Sequence, residues 1–159
     1  MFQTRKADWY FIISATTVWL AALLVTTGDF AYVQQAVFRF RFDSLVGLTS
    51  MLLGIIVRRW AKMNLRKNFS PALRIRDDHQ LVTNGIYKYI RHPAYSGNFL
   101  FWFGTPLLFS SFYGFLVMLL LIPCYLYRIK IEEKMLVGKF GEEYLEYMRH
   151  TKKLLPYIY

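Results

Sequence analysis

Three short clusters bring together residue types that can hold a charged ligand or move a proton. The first is Arg91-His92-Pro93-Ala94-Tyr95-Ser96-Gly97, standing directly before an uncharged run. Proline suits a first helical turn, where its missing N–H has no partner to lose. The turn would leave backbone N–H groups and the positive helix end facing water as an anion site, with the His92 ring and the Tyr95 hydroxyl beside it. Taken alone, an interfacial anchor is the simpler account, with Arg for lipid phosphate and Tyr for the aromatic belt. The second cluster is Arg128, Glu132 and Glu133. Arg128 and Glu132 are four apart and share a helix face. Such a pair at a membrane boundary can bind a charged ligand, or be a surface ion pair worth about 0.3–0.5 kcal/mol. The third is His79-Gln80-Leu81-Val82-Thr83-Asn84-Gly85-Ile86-Tyr87. Asn-Gly marks a turn and Leu81-Val82 can wall an apolar slot, but taken alone an ordinary loop tucked under the bundle is the better account.

These clusters must be positioned by helices in a membrane. Of 159 residues, 55% are hydrophobic and 19% aromatic, against about 45–50% apolar in a soluble domain even with Gly counted. The net charge of +10 would otherwise point to nucleic acid or acidic substrates. Here the apolar residues fall in long uncharged blocks, so the membrane is the better reading. Cys124 stands alone, which excludes an internal disulfide framework, and no Cys/His cluster has zinc-ligand spacing. No Gly-rich phosphate loop or G-x-G-x-x-G motif is present, so a soluble Rossmann enzyme is not supported.

About four transmembrane helices are expected in an all-α bundle. Trp9–Thr27 is uncharged and long enough to cross a bilayer. Ser44–Val57 is shorter, with Arg58, Arg59 and Trp60 as a snorkelling anchor. Pro93 to Tyr127 gives 35 residues without a charge, about 52 Å of helix, far more than the roughly 30 Å hydrocarbon core. It must fold back at 110–114, giving a hairpin of helices at about 97–109 and 114–131, kinked by Pro106 and Pro123. Nine of the twenty basic residues lie in 58–97 and seven in 128–159. The positive-inside rule therefore places both termini and the 58–97 loop in the cytoplasm. Arg5 and Lys6 before an apolar run resemble a signal peptide, but no A-x-A site follows and more spans do, so the segment is read as a retained anchor. From Gly141 the tail has Glu142 and Glu143 first and Arg149, Lys152 and Lys153 last, suiting a helix dipole. Its apolar face can lie on the membrane or close over a site. The chain is expected to be one membrane domain, 1–159, with two N-terminal helices in 1–60 and the loop, hairpin and tail in 61–159.

In order and spacing, Leu81-Val82-Thr83-Asn84-Gly85-Ile86-Tyr87, Arg91-His92-Pro93-x-Tyr95-x-Gly97, Arg128-x-x-x-Glu132-Glu133 and Phe140-Gly141-Glu142-Glu143-Tyr144-x-x-Tyr147 resemble the isoprenylcysteine carboxyl methyltransferase family. That family belongs to a wider group of integral-membrane methyltransferases that includes phospholipid methyltransferases. The likeness covers about 66–159, and Ile86 stands where family members often carry Pro. It implies an S-adenosylmethionine pocket on the cytoplasmic side, built from the loop, the hairpin and the tail. Carried across by motif, His79, Gln80, Leu81, Val82 and Tyr87 line the cofactor. His92, Pro93, Ala94 and Tyr95 form a wall, Glu132 holds a polar part of the cofactor, and Arg128 faces the substrate. No metal is implied.

The implied chemistry is coherent with these side chains. A sulfonium cation beside an amino-acid head suits a carboxylate and aromatic faces. A carboxylate acceptor is ionised at neutral pH and needs no general base, so the site has only to align and desolvate it, with Arg128 as clamp. An amine acceptor must lose a proton, and Glu133 or His92 would be the first bases to test. The acceptor is lipophilic: a lipidated protein, an isoprenoid acid or a phospholipid. Two rivals remain. Membrane sterol reductases, which bind NADPH, share the RHP-x-Tyr-x-Gly pattern and an ending like Leu154-Leu155-Pro156-Tyr157-Ile158-Tyr159. They usually carry Asp where this chain has Asn98. A non-catalytic adaptor binding anionic lipid would tolerate loss of Glu132.

Overall fold

The computed structural model describes residues 2–66, Ser70 and residues 80–155. It is all-helical apart from one isolated bridge between Ile90 and Lys152 among these residues. Helix α1 spans Phe2–Gly28 and passes into a π-helical turn at Asp29–Val33. Three of its hydroxyls bond back to its own carbonyls, Thr26 to Ala22 at 2.7 Å, Thr27 to Leu24 at 3.0 Å and Ser14 to Phe11 at 3.1 Å. That arrangement satisfies them where lipid offers no partner.

Helix α2 spans Phe42–Leu65, running past the expected boundary at Val57 and through the Arg58-Arg59-Trp60 anchor. No proline or glycine interrupts 55–65, and Arg, Ala, Lys, Met and Leu all sustain a helix. Helix α3 spans Pro93–Leu108 and lies antiparallel to α2. The two backbones nearly touch at two places. A Cβ on Gly54 would sit 2.6 Å from the Gly97 carbonyl oxygen, and one on Gly47 2.7 Å from that of Gly104. Both pairs repeat after seven residues, two turns of each helix. Small residues on facing stripes let membrane helices gain dispersion contact where no hydrophobic effect drives them together.

The expected hairpin is present. Its turn is Phe109 to Ser111, with Ser111 Oγ capping the next helix by accepting from the Gly114 N–H at 3.1 Å. The returning arm is interrupted: α4 covers Phe112–Met118 and α5 covers Leu121–Phe140. Pro123 explains the break, because its ring removes a donor and crowds the carbonyl four residues earlier, at Leu119. Helix α1 packs against this arm around Ala22, Met118, Leu121 and Tyr125, all buried.

Among the described residues, three helical stretches are long and apolar enough to cross a membrane: Lys6–Val33, Phe42–Leu65 and Phe112–Phe140. Helix α3, the third of the four expected spans, has 16 residues, about 24 Å, and is packed closely along α2.

Gly141 ends α5 with φ +56° and ψ −129°, a conformation glycine adopts without a Cβ penalty. Helix α6 follows at Glu142–His150, with Glu142 and Glu143 first and Arg149 and His150 last. Lys152 and Lys153 lie beyond it and pair with the segment before α3. The Lys152 N–H donates to the Tyr89 carbonyl at 3.2 Å, and the Arg91 and His92 N–H groups donate to the Lys152 and Lys153 carbonyls at 2.8 and 3.0 Å. The tail therefore closes on the bundle.

Candidate functional site

The closed tail changes the expected anion site at the start of α3. Arg91 and His92 give their N–H groups to the tail, Pro93 has none, and the Tyr95 N–H bonds the His92 carbonyl at 3.0 Å. The helix end is thus mostly spent on internal bonds, and the chemistry passes to side chains.

Those side chains form one continuous network from α1 to the tail. Asp8 Oδ1 accepts from Arg128 Nη1 at 2.9 Å. Arg128 Nε donates to the Tyr95 hydroxyl at 2.9 Å, which itself donates to Glu132 Oε2 at 2.6 Å. His92 Nδ1 lies 3.9 Å from the same Glu132 oxygen, while its Nε2 is 3.4 Å from Glu133 Oε1. Glu133 then meets Arg91 Nε at 2.9 Å and Lys153 Nζ at 3.9 Å. The His92 and Tyr95 rings stack at 5.6 Å with an 11° interplanar angle, so the RHPxY segment presents two parallel aromatic plates beside two carboxylates.

The adjacent glutamates are differently placed. Glu133 is 9% exposed, enclosed by Arg91, His92 and Lys153, whereas the Glu132 carboxylate is 33% exposed. A buried carboxylate needs this much pairing to remain charged. Glu133, one of the first bases to test for an amine acceptor, is tied to the tail through Arg91, which also donates to the Met148 carbonyl at 3.1 Å and to the Thr151 carbonyl. Glu132 is the more accessible of the two carboxylates. The Arg128–Glu132 relationship expected from their spacing is mediated by the shared Tyr95 oxygen.

Of the other expected residues, Tyr87 lies close enough to Glu132 for its charge to act on the phenol. Tyr87 is buried in a cluster with Ala61, Ile86 and Ile90, against which Val82 packs. Burial, and then the negative charge of Glu132, raise the Tyr87 phenol well above its usual range. The Tyr87 carbonyl accepts from the Tyr147 hydroxyl at 2.7 Å, fastening α6 to the loop. Leu81 is half-buried and Gln80 exposed at the loop's edge, Pro93 is buried at the first position of α3, and Ala94 is half-buried. His79 lies outside the described residues.

On the other side of Tyr95 and Arg128, a cavity of about 490 Å³ opens between α1, α2, α3 and α5, lined by Phe11, Gly54, Phe101, Trp102 and Tyr125 among others. That volume is within the usual range for small-molecule sites. Asn98, where the reductase pattern has Asp, donates to the Tyr125 hydroxyl at 3.1 Å and accepts from Arg58. It therefore ties the cavity walls together. Sequence reasoning missed Asp8 and Phe11, the α1 residues that meet Arg128. The one available signal was an acidic residue at the head of an apolar run.

Fold and site together define an integral-membrane helical bundle with a carboxylate–aromatic site at one end and an apolar cavity beside it. The sequence model of the isoprenylcysteine carboxyl methyltransferase (ICMT) family matches residues 45–138. A probable protein-S-isoprenylcysteine O-methyltransferase of Oryza sativa subsp. indica is 36% identical over 121 residues, covering 74% of this chain and 63% of that protein. The protein-S-isoprenylcysteine O-methyltransferase of Schizosaccharomyces pombe is 33% identical over 177 residues, covering 99% of this chain and 75% of that protein. The solved structure of the eukaryotic intramembrane Ras methyltransferase ICMT superposes with a TM-score of 0.77 at 27% identity, covering 90% of this chain and 52% of that one. The chain belongs to the isoprenylcysteine carboxyl methyltransferase family. It spans only about half of the solved relative's length.

Proposed function

We propose that this chain transfers a methyl group from S-adenosylmethionine to the carboxylate of a lipophilic acceptor at the cytoplasmic face of its membrane. The observation that carries the reading is the placement of Tyr95 and Arg128. They join an accessible carboxylate on one side to an apolar cavity on the other. The relatives' names support a prenylcysteine carboxylate as the acceptor.

The residues fit the cofactor by their donor chemistry. Glu132 offers a partly exposed carboxylate, and Tyr87, His92 and Tyr95 offer aromatic faces near it. A cation is stabilised by both kinds of group. The cofactor, when bound, supplies an electrophilic methyl on sulfur. Glu132 holds a polar part of it, Gln80, Leu81 and Val82 of the loop line it, and the closed tail excludes water. His79 belongs to the same proposal. The cavity takes the acceptor's hydrocarbon chain, and Arg128 holds its carboxylate. An ionised carboxylate keeps its lone pair, so no residue has to remove a proton. Alignment alone is worth several kcal/mol, up to ~7–11 in well-oriented systems.

The excess of basic residues in 58–97 and in the tail supports placing the site and both ends of the chain in the cytoplasm. Thermal unfolding in detergent with S-adenosylhomocysteine, and separately with NADPH, tests the cofactor. At about 100 times its dissociation constant a ligand stabilises by roughly 2.7 kcal/mol. A shift with the adenosyl compound that vanishes in Glu132→Ala is expected. A shift with NADPH alone would make the protein a reductase, and no shift with either would favour an adaptor.

A further inference from the structure

Helix α1 holds Arg128 at two points. Asp8 takes Nη1 at 2.9 Å, and the Phe11 ring lies under the guanidinium, with Cζ 4.4 Å from the ring centroid. The two residues are three apart, hence neighbours on one helix face. Phe11 is itself fixed edge-on against Tyr125 at 5.0 Å. The Arg128 side chain is only 4% exposed, and a buried guanidinium needs a counter-charge to stay in place. An edge contact to Asp8, a face contact to Phe11 and the Nε–H bond to Tyr95 together set both the direction and the plane of the group. Asp8 and Phe11 lie outside the 45–138 segment that carries the family pattern, so this support comes from the N-terminal helix.

We propose that Asp8 is a positioning residue for methyl transfer, holding the Arg128 guanidinium in the orientation that aligns the acceptor carboxylate. This rests on the reading of Arg128 as the acceptor's clamp. Asp8→Asn keeps the side chain's shape and removes its charge. In the purified full chain, the variant is expected to lower kcat by about ten-fold or more, because misalignment acts on the reacting geometry. Its affinity for S-adenosylhomocysteine should stay within about two-fold of the parent, a readout that general misfolding would not spare. Asp8→Glu should recover most of the rate, and Asp8→Asn should add almost nothing in an Arg128→Ala background.

Three results would overturn the proposal. The first is Asp8→Asn leaving kcat unchanged. The second is Asp8→Asn tightening acceptor binding at full kcat, which would make Asp8 a competitor for the guanidinium. The third is an undiminished effect of Asp8→Asn without Arg128. If Arg128→Ala alone leaves acceptor kinetics untouched while Asp8→Asn still slows turnover, the clamp reading fails together with the proposal. If Arg128→Ala impairs acceptor kinetics and Asp8→Asn does not, only the proposal fails.

Discussion

Tyr95 donates its phenolic proton to Glu132 at 2.6 Å while the same oxygen accepts from Arg128. One hydroxyl therefore ties the carboxylate assigned to the cofactor to the guanidinium assigned to the acceptor. Tyr95→Phe keeps the ring stacked on His92 and removes only this link. Hydrogen bonds to charged groups contribute about 1.5–3 kcal/mol, so methyl transfer should fall about ten-fold or more at unchanged helix content. Full activity in Tyr95→Phe would show that the link plays no part in turnover.

The two neighbouring glutamates should separate cleanly by experiment. Glu133→Ala strips the partner from buried Arg91 and from Lys153, and breaking a buried pair costs about 3–5 kcal/mol. A large fall in Tm and early proteolysis of the tail are expected. Glu132→Ala, whose side chain is a third exposed, should lower Tm much less and abolish the adenosyl-dependent shift. The reverse pattern would exchange the two assignments.

The α2–α3 seam makes a prediction about stability alone. Gly54→Ala puts a methyl 2.6 Å from the Gly97 carbonyl, where backbone, not a flexible side chain, must yield. Overpacking of this kind costs about 1–3 kcal/mol. Gly138→Ala, with nothing within 4 Å of the added carbon, should stabilise by about 0.5–1 kcal/mol, since glycine weakens a helix interior. Equal effects at the two positions would contradict the close approach.

Alkaline pH should unfasten the tail. Burial raises the phenols of Tyr87, Tyr144 and Tyr147 above their ordinary value. Each is therefore held neutral in the fold and ionises more easily when exposed. Their contribution is fully present below the unfolded value near 10 and is lost as pH rises beyond it. Proteolysis of the tail should quicken from about pH 10 upward, and less steeply in Tyr147→Phe. A cleavage rate independent of pH over this interval would show that the phenols do not restrain it.

The helices were legible in the sequence because the bilayer imposes length and charge-free runs, and Pro93, Ser111 and Gly141 punctuate them by local chemistry. The extension of α2 past Arg58 was hidden because a helix continues into water without any change in propensity. The break at Leu119 and Leu120 followed from Pro123, although its form as two helices did not. The motif spacing brought His92, Tyr95, Arg128 and Glu132 to one place. Two features were out of reach. The Asp8–Arg128 pair joins residues 120 positions apart, and the tail's pairing with Tyr89–His92 is made by backbone groups that carry no sequence signature.

The most direct test is to incubate the purified chain with methyl-labelled S-adenosylmethionine and a prenylated cysteine whose carboxylate is free, then to measure base-labile methyl ester. The account predicts ester formation by the parent chain, with Arg128→Ala losing acceptor affinity and Glu132→Ala losing cofactor affinity. If the chain binds the adenosyl compound but forms no ester, and instead methylates an amine head group, the carboxylate mechanism is wrong.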